Sequence, residues 1–141
     1  MVDLVNSRQQ VVFGKDSIII QKWITGIKGG RNLDVSEFPL KVISAGHVVI
    51  TDGNGLYKPM PLTSEPSRLG DDSESVTYTY DSLPEGFHYA GVVYRSVLVE
   101  RPMVSIMTQG QVNSVAMPYE VPEDFKDDCP LIEFIKDEPS K

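Results

Sequence analysis

From Phe38 onward the chain alternates short apolar runs with polar, glycine- or proline-marked breaks, the pattern of strands joined by turns. FPLKVISAGHVVIT carries apolar residues at close intervals, interrupted at Ala45-Gly46, where a glycine inside a strand pattern predicts a bulge or a close backbone approach. HVVIT then meets Asp52-Gly53-Asn54-Gly55, a strong hairpin signal, and LYKPMPL returns from it. Pro59 and Pro61 stand two apart, which places the return at an edge or rim, where no ladder donor is needed. Residues 63–86 read as a polar surface loop with one short strand, VTYTY, at its centre.

HYAGVVYRSVLVE and PMVSIMTQGQVNSVAM predict two further strands. In the first, Tyr89, Gly91 and Val93 share a face, and the alternation shifts near residues 94–96. In the second, Val104, Ile106 and Val112 point inward, Gln109 and Gln111 form a wet face, and Gly110 permits a bend or close packing. Pro122, Glu123 and Asp124 suit a helix start, with proline in the first turn and acids at the positive dipole end. That short helix runs to about Asp128, Pro130 stops it, and LIEFI closes the chain as a strand.

The first 28 residues differ from the rest. Val11, Val12 and Phe13, then Ile18, Ile19 and Ile20, then Trp23, form apolar patches separated by Gly14, Gly26 and Gly29. SIIIQKWI is β-rich, and two readings stand: an edge hairpin of the same domain, or an arm that pairs with a neighbour's sheet. The division expected is therefore an N-terminal arm or edge hairpin over 1–28 and a β-rich domain over 29–141. The expected class is mainly β: a compact sandwich- or barrel-like domain of the β-clip or β-tulip type, with one short helix near the C-terminus.

Composition adds bounds. A chain of 141 residues is the size of one domain and buries roughly 70% of its unfolded surface. Its net charge of -7 opposes binding to a phosphate backbone, which requires clustered Lys and Arg. Cys129, a single cysteine, offers no internal disulfide. No signal-peptide pattern opens the chain and no apolar stretch reaches bilayer length, so synthesis in the cytoplasm and no membrane partner are expected.

Chemistry is sparse. His47 and His88 are far apart and outside any metal-ligand spacing, and the acids Asp71, Asp72, Glu74, Asp81 and Glu85 lack the order of a calcium loop. Ser105 stands in no nucleophile elbow, Cys129 has no base nearby in sequence, and GKDS and GIKGGR lack the phosphate-loop order. No catalytic, metal or cofactor residue is assigned, and no enzyme activity is expected.

The succession GGRNLDVS, AGHVVI, DGNG, YKPMPL, YAGVVYRSV, SIMTQGQVNSVAMPY, EDFKDDCP and LIEF resembles the head decoration (auxiliary capsid) proteins of tailed bacteriophages over about residues 29–136. The most specific part is MTQGQVN followed by AMPY, which resembles the family's glycine-containing strand, Val-Asn step, Ala-X-Pro-Tyr turn, short helix and strand. Gly46, Gly53, Gly91, Gly110, Asn113, Pro118 and Tyr119 are the structural positions of that pattern. The resemblance implies a virion protein on the outer surface of the expanded capsid, commonly a trimer at local three-fold positions, whose partner is the major capsid protein. Val11, Val12, Phe13, Ile18, Ile19, Ile20 and Trp23 are then the candidate contacts with the shell or a neighbour. A head-fibre or other virion-surface attachment module, or a small β-fold enzyme, are the alternatives.

Overall fold

The DGNG stretch makes the hairpin its composition predicts. Asp52 accepts hydrogen bonds through Oδ1 from the N–H groups of Asn54 (2.7 Å) and Leu56 (3.2 Å), and Gly53 and Gly55 supply positive φ angles of 83° and 98°. The turn joins β3 (Val48–Thr51) to β4 (Tyr57–Pro59), which pair antiparallel, with Pro59 opposite Val49. The computed structural model describes residues 16–66 and 76–136.

Before that hairpin come α1 (Asp16–Ile19), β1 (Ile20–Asn32) and β2 (Val42–Ile43). After it come β5 (Leu62–Pro66), β6 (Val76–Tyr80), β7 (His88–Val93), β8 (Val97–Leu98), β9 (Met103–Asn113), α2 (Glu123–Asp128) and β10 (Ile132–Ile135). The main sheet has six strands in the order β1-β9-β7-β3-β4, with β10 joined to β9. β4 stands at the end of that order, so Pro59 occupies an edge and Pro61 follows just beyond the strand. The protein is mainly β, with a large antiparallel sheet and one short helix near the C-terminus; the sheet is open, with no closed barrel among the described residues.

Two small ribbons complete the fold, β2 with β8 and β5 with β6. The second corrects the reading of 63–86 as a loop around a single strand, because Leu62–Pro66 pairs in register with Val76–Tyr80. Its residues LTSEP are mostly polar and lack apolar alternation; the ribbon meets the core through Tyr80 of the partner strand β6.

β9 is the spine. It pairs with β1 along Met103–Val112, while β7 (at Ile106 and Met107) and then β10 (at Gly110–Asn113) share its other edge. Between Met107 and Gln109 the strand gains one residue relative to β1, because Gly26 faces Met107 and Thr25 faces Gln109, leaving Thr108 extra. A residue gained in one strand inverts the facing of everything beyond it. Val104 and Ile106 accordingly enter one apolar cluster with Leu33, Ile43, Val49 and Val93. Val112 joins Met107 in the other, with Ile50, Met60, Val92, Phe125 and Ile132. The three valine and isoleucine positions predicted to point inward are all buried, and they serve two different cores.

Gly110 sits just beyond that irregularity. A Cβ there would collide with the Lys22 carbonyl oxygen and with Met107 Sδ, so only glycine lets β1 and the Met107 side chain approach β9 this closely. Gln111 is not an idle wet residue: its Nε2 donates to Glu133 Oε1 at 3.2 Å, across the β9–β10 pair.

Residues 16–28 bear on the expected boundary at 28. β1 crosses that position without a break, and Ile19 and Ile20 are buried in the larger cluster. Trp23 packs on the same cluster with its ring 4.7 Å from that of Tyr94. Ile18 is exposed. Val11, Val12 and Phe13 lie outside the described residues.

Candidate functional site

His47 lies directly before β3, in backbone that must enter the sheet, and its side chain is fully buried. Three chain segments bring aromatic rings against it. Phe38 comes from the loop after β1 (centroids 5.4 Å apart), Tyr80 from the end of β6 (5.2 Å) and Tyr119 from the segment before α2 (5.6 Å), each edge-on. Tyr80 and Tyr119 also meet each other at 5.2 Å. Edge-to-face geometry sets the positive rim of one ring against the negative face of the next, and such pairs add about 0.5–1.5 kcal/mol beyond burial.

Polar tips tie the cluster to the backbone. His47 Nε2 lies 3.0 Å from the Met60 carbonyl oxygen; a carbonyl only accepts, so Nε2 carries the proton. Nδ1 is buried without a hydrogen-bond partner among the described residues. Burial pushes the His47 pKa down to about 4, against a smaller upward pull from the Met60 carbonyl, so the ring is neutral at physiological pH. The Val48 N–H donates to Tyr80 Oη at 3.0 Å, and burial holds the Tyr80 phenol well above its usual range.

The outer face of this cluster is a cleft of 170 Å³ lined by Asp34, Ser36, Glu37, Phe38, Pro39, Lys58, Pro59 and Pro61. Pro59 and Pro61 flank Met60, whose carbonyl holds His47, and Phe38 touches the His47 ring, so His47 stands behind the cleft wall. The loop side is fixed to β4: the Asp34 N–H donates to the Tyr57 carbonyl at 2.8 Å, and Leu33 forms a parallel bridge with Tyr57. Hydrogen bonds from Ser36, with Lys58 adding a smaller attraction, hold the Asp34 carboxyl below its usual range. Lys58 places Nζ 4.6 Å from the centroid of the Phe87 ring.

The positions singled out in the sequence are built into the frame. Gly46 has φ 84°, and a Cβ there would strike Ile19 and approach Pro118. Gly91 meets the Met107 carbonyl as closely as Gly110 meets Lys22. Asn113 ends β9, accepting at Oδ1 from the Val115 N–H (3.2 Å) and at its carbonyl from Ala116 (3.1 Å), which turns the chain toward Pro118 and Tyr119. His88 is exposed at the start of β7, away from His47 by register, since it pairs with Thr51 while His47 lies at the opposite end of β3. Cys129 is half-buried, and burial with Asp128 beside it pushes its thiol up to about 11, which disfavours the thiolate.

The cleft escaped the sequence reading. Its residues come from 34–39 and 58–61, and the signal available was the proline spacing of KPMP, read only as an edge marker. Among the described residues, no group of three His, Cys, Asp or Glu side chains is placed to hold a metal, and no helix is long and apolar enough to cross a membrane.

A second exposed feature lies at the opposite end of the strand order. Among the described residues β1 is an edge strand, 13 residues long, and four register irregularities against β9 break its regularity. Six large apolar side chains are exposed among the described residues; Ile18, Ile24 and Met103 lie on α1, on β1 and at the β9 end paired with β1. Comparison of the chain with protein-family models, curated proteins and solved structures found no match.

Proposed function

We propose that this chain is a structural virion protein that binds the outer surface of an expanded tailed-phage capsid and reinforces the contacts between major capsid protein subunits, as a trimer at local three-fold positions. The reading rests on the resemblance of residues 29–136 to head decoration proteins. The observation that supports it most is the β1 edge, where Ile18, Ile24 and Met103 expose apolar surface along the longest strand. Exposed apolar side chains along one rim suit a contact surface. Interrupted register and the cations Lys22 and Arg31 make that rim a poor template for simple strand pairing, so the contact is made through side chains. Binding of this kind adds stability only in the assembled lattice, in proportion to occupancy and affinity.

The test replaces Ile24 and Met103 with Asp, singly and together, in the full chain. Both side chains are about half exposed (47% and 55%), so thermal stability should stay within about 1 kcal/mol of the parent. Affinity for expanded heads of the cognate major capsid protein should fall at least about tenfold, the loss expected when apolar contacts of roughly 1.4 kcal/mol are removed. Unchanged affinity in the double variant would remove the β1 rim from the contact.

A further inference from the structure

We propose that the cleft between the 34–39 loop and β4 is a guanidinium-binding site that receives one arginine side chain from an extended segment of a partner protein. The inference stands on the cleft itself and is independent of the capsid reading.

Size decides first. Small-molecule and cofactor sites occupy about 300–1,000 Å³; at 170 Å³ the cleft holds the bulk of one side chain. Wall chemistry decides next. Phe38, Pro39, Pro59 and Pro61 present flat, stiff apolar surface, on which a methylene stem packs while its polar head stays at the mouth. Phe38 already has the His47 ring on one side, which fixes its orientation with no partner bound. Pro59 is buried in β4 opposite Val49, and Asp34 is tied to Tyr57, so both walls are anchored to the same strand before the ligand arrives.

Charge selects the head group. Asp34 and Glu37 both line the cleft, and Asp34 is held ionised by Ser36. The one cation of the lining, Lys58, lies with Nζ 4.6 Å from the Phe87 ring centroid and also attracts Asp34, so two carboxylates face one ammonium and the lining keeps an excess of negative charge. An anion entering the cleft meets two carboxylates against one ammonium, on a chain whose net charge is -7. A cation meets complementary charge and an aromatic face. Arginine fits better than lysine because its planar fork bonds carboxylates in pairs and stacks flat on an aromatic ring, while an ammonium is a compact, strongly hydrated point charge.

The experiment is a titration of the isotope-labelled full chain, followed by backbone amide resonances, with Nα-acetyl-arginine methylamide and with the lysine and citrulline counterparts. Citrulline keeps the shape of arginine and lacks its charge. Saturable shifts confined to residues 34–39 and 57–61, with a dissociation constant on the order of 1–10 mM for a single side chain, are expected. Lysine should bind more weakly and citrulline at least about tenfold more weakly. Glu37→Gln and Asp34→Asn should each weaken the arginine probe several-fold while the remaining resonances stay in place, since Asn retains the Oδ1 acceptor that Ser36 uses. Equal shifts from citrulline, shifts outside the cleft, insensitivity to both substitutions, or preferential response to inorganic phosphate would overturn the proposal.

Discussion

The two apolar clusters on either side of the sheet are built differently. The smaller one, around Leu33, Ile43, Val49, Val93, Val104 and Ile106, is aliphatic at its buried centre and is closed by local ribbons such as β2–β8. The larger joins Phe125 of α2, Met60, Met107 and Met117 with a border of tyrosines, and the titratable His47 ring lies between the two, edge-on to Tyr80 of the larger and to Phe38 beside the smaller. One strand supplies both: β9 gives Val104 and Ile106 to the first, Met107 to the second by ordinary alternation, and, beyond the extra residue at Thr108, Val112 to the second as well. The difference predicts a larger loss on truncation in the aromatic cluster than in the aliphatic one, with acid acting through His47 at their shared border.

The largest expected loss is at Phe125. Its ring is fully buried, 5.3 Å from Tyr89 and 6.2 Å from Phe134, and it is the side chain through which α2 seals the larger cluster. Phe125→Ala should destabilise by about 3–5 kcal/mol in denaturant titration. A loss under about 1 kcal/mol would show that the helix is peripheral.

Acid comes next. The His47 pKa is near 4 in the folded chain and about 6.5 unfolded, so the unfolded state binds the proton more readily. Stability from this group is complete above about pH 6.5 and declines as pH falls toward 4, by about 3 kcal/mol for a shift of this size. His47→Leu should flatten that slope in unfolding experiments between pH 7 and 4, whatever its effect on absolute stability. An unaltered slope would place the acid sensitivity elsewhere.

At the seam between the clusters, Gly110→Val should force β1 off β9 and cost about 1–3 kcal/mol or more, the range of overpacked cores. Amide exchange should accelerate across Ile20–Ile27 and spare the β3–β4 hairpin. Smallest is Ile43→Val in the aliphatic cluster, about 0.5–1.5 kcal/mol with the pH slope unchanged.

Several parts of this molecule were legible in the sequence because their causes are local. The Asp52–Gly55 turn, the helix that Pro122 opens and the closing strand depend on residues within a few positions of one another. The inversion within β9 was not legible: TQGQ signalled an irregularity, but which residue is extra is defined only by pairing with Thr25 and Gly26, some 80 positions earlier. β5 was missed because LTSEP is mostly polar and shows no alternation, while its partner VTYTY does. The sequence showed only that His47 stands outside any metal-ligand spacing; its cage of Phe38, Tyr80 and Tyr119 is assembled from segments far apart in the chain, as is the cleft on its outer side.

The most direct measurement of the functional account is cosedimentation of the purified chain with cognate phage heads stripped of auxiliary proteins, expanded and unexpanded in parallel, with bound copies counted per capsid subunit. Saturable binding to expanded heads alone, at a fixed lattice ratio, is the predicted result. Absence of binding to both forms, or equal binding to both, would contradict it.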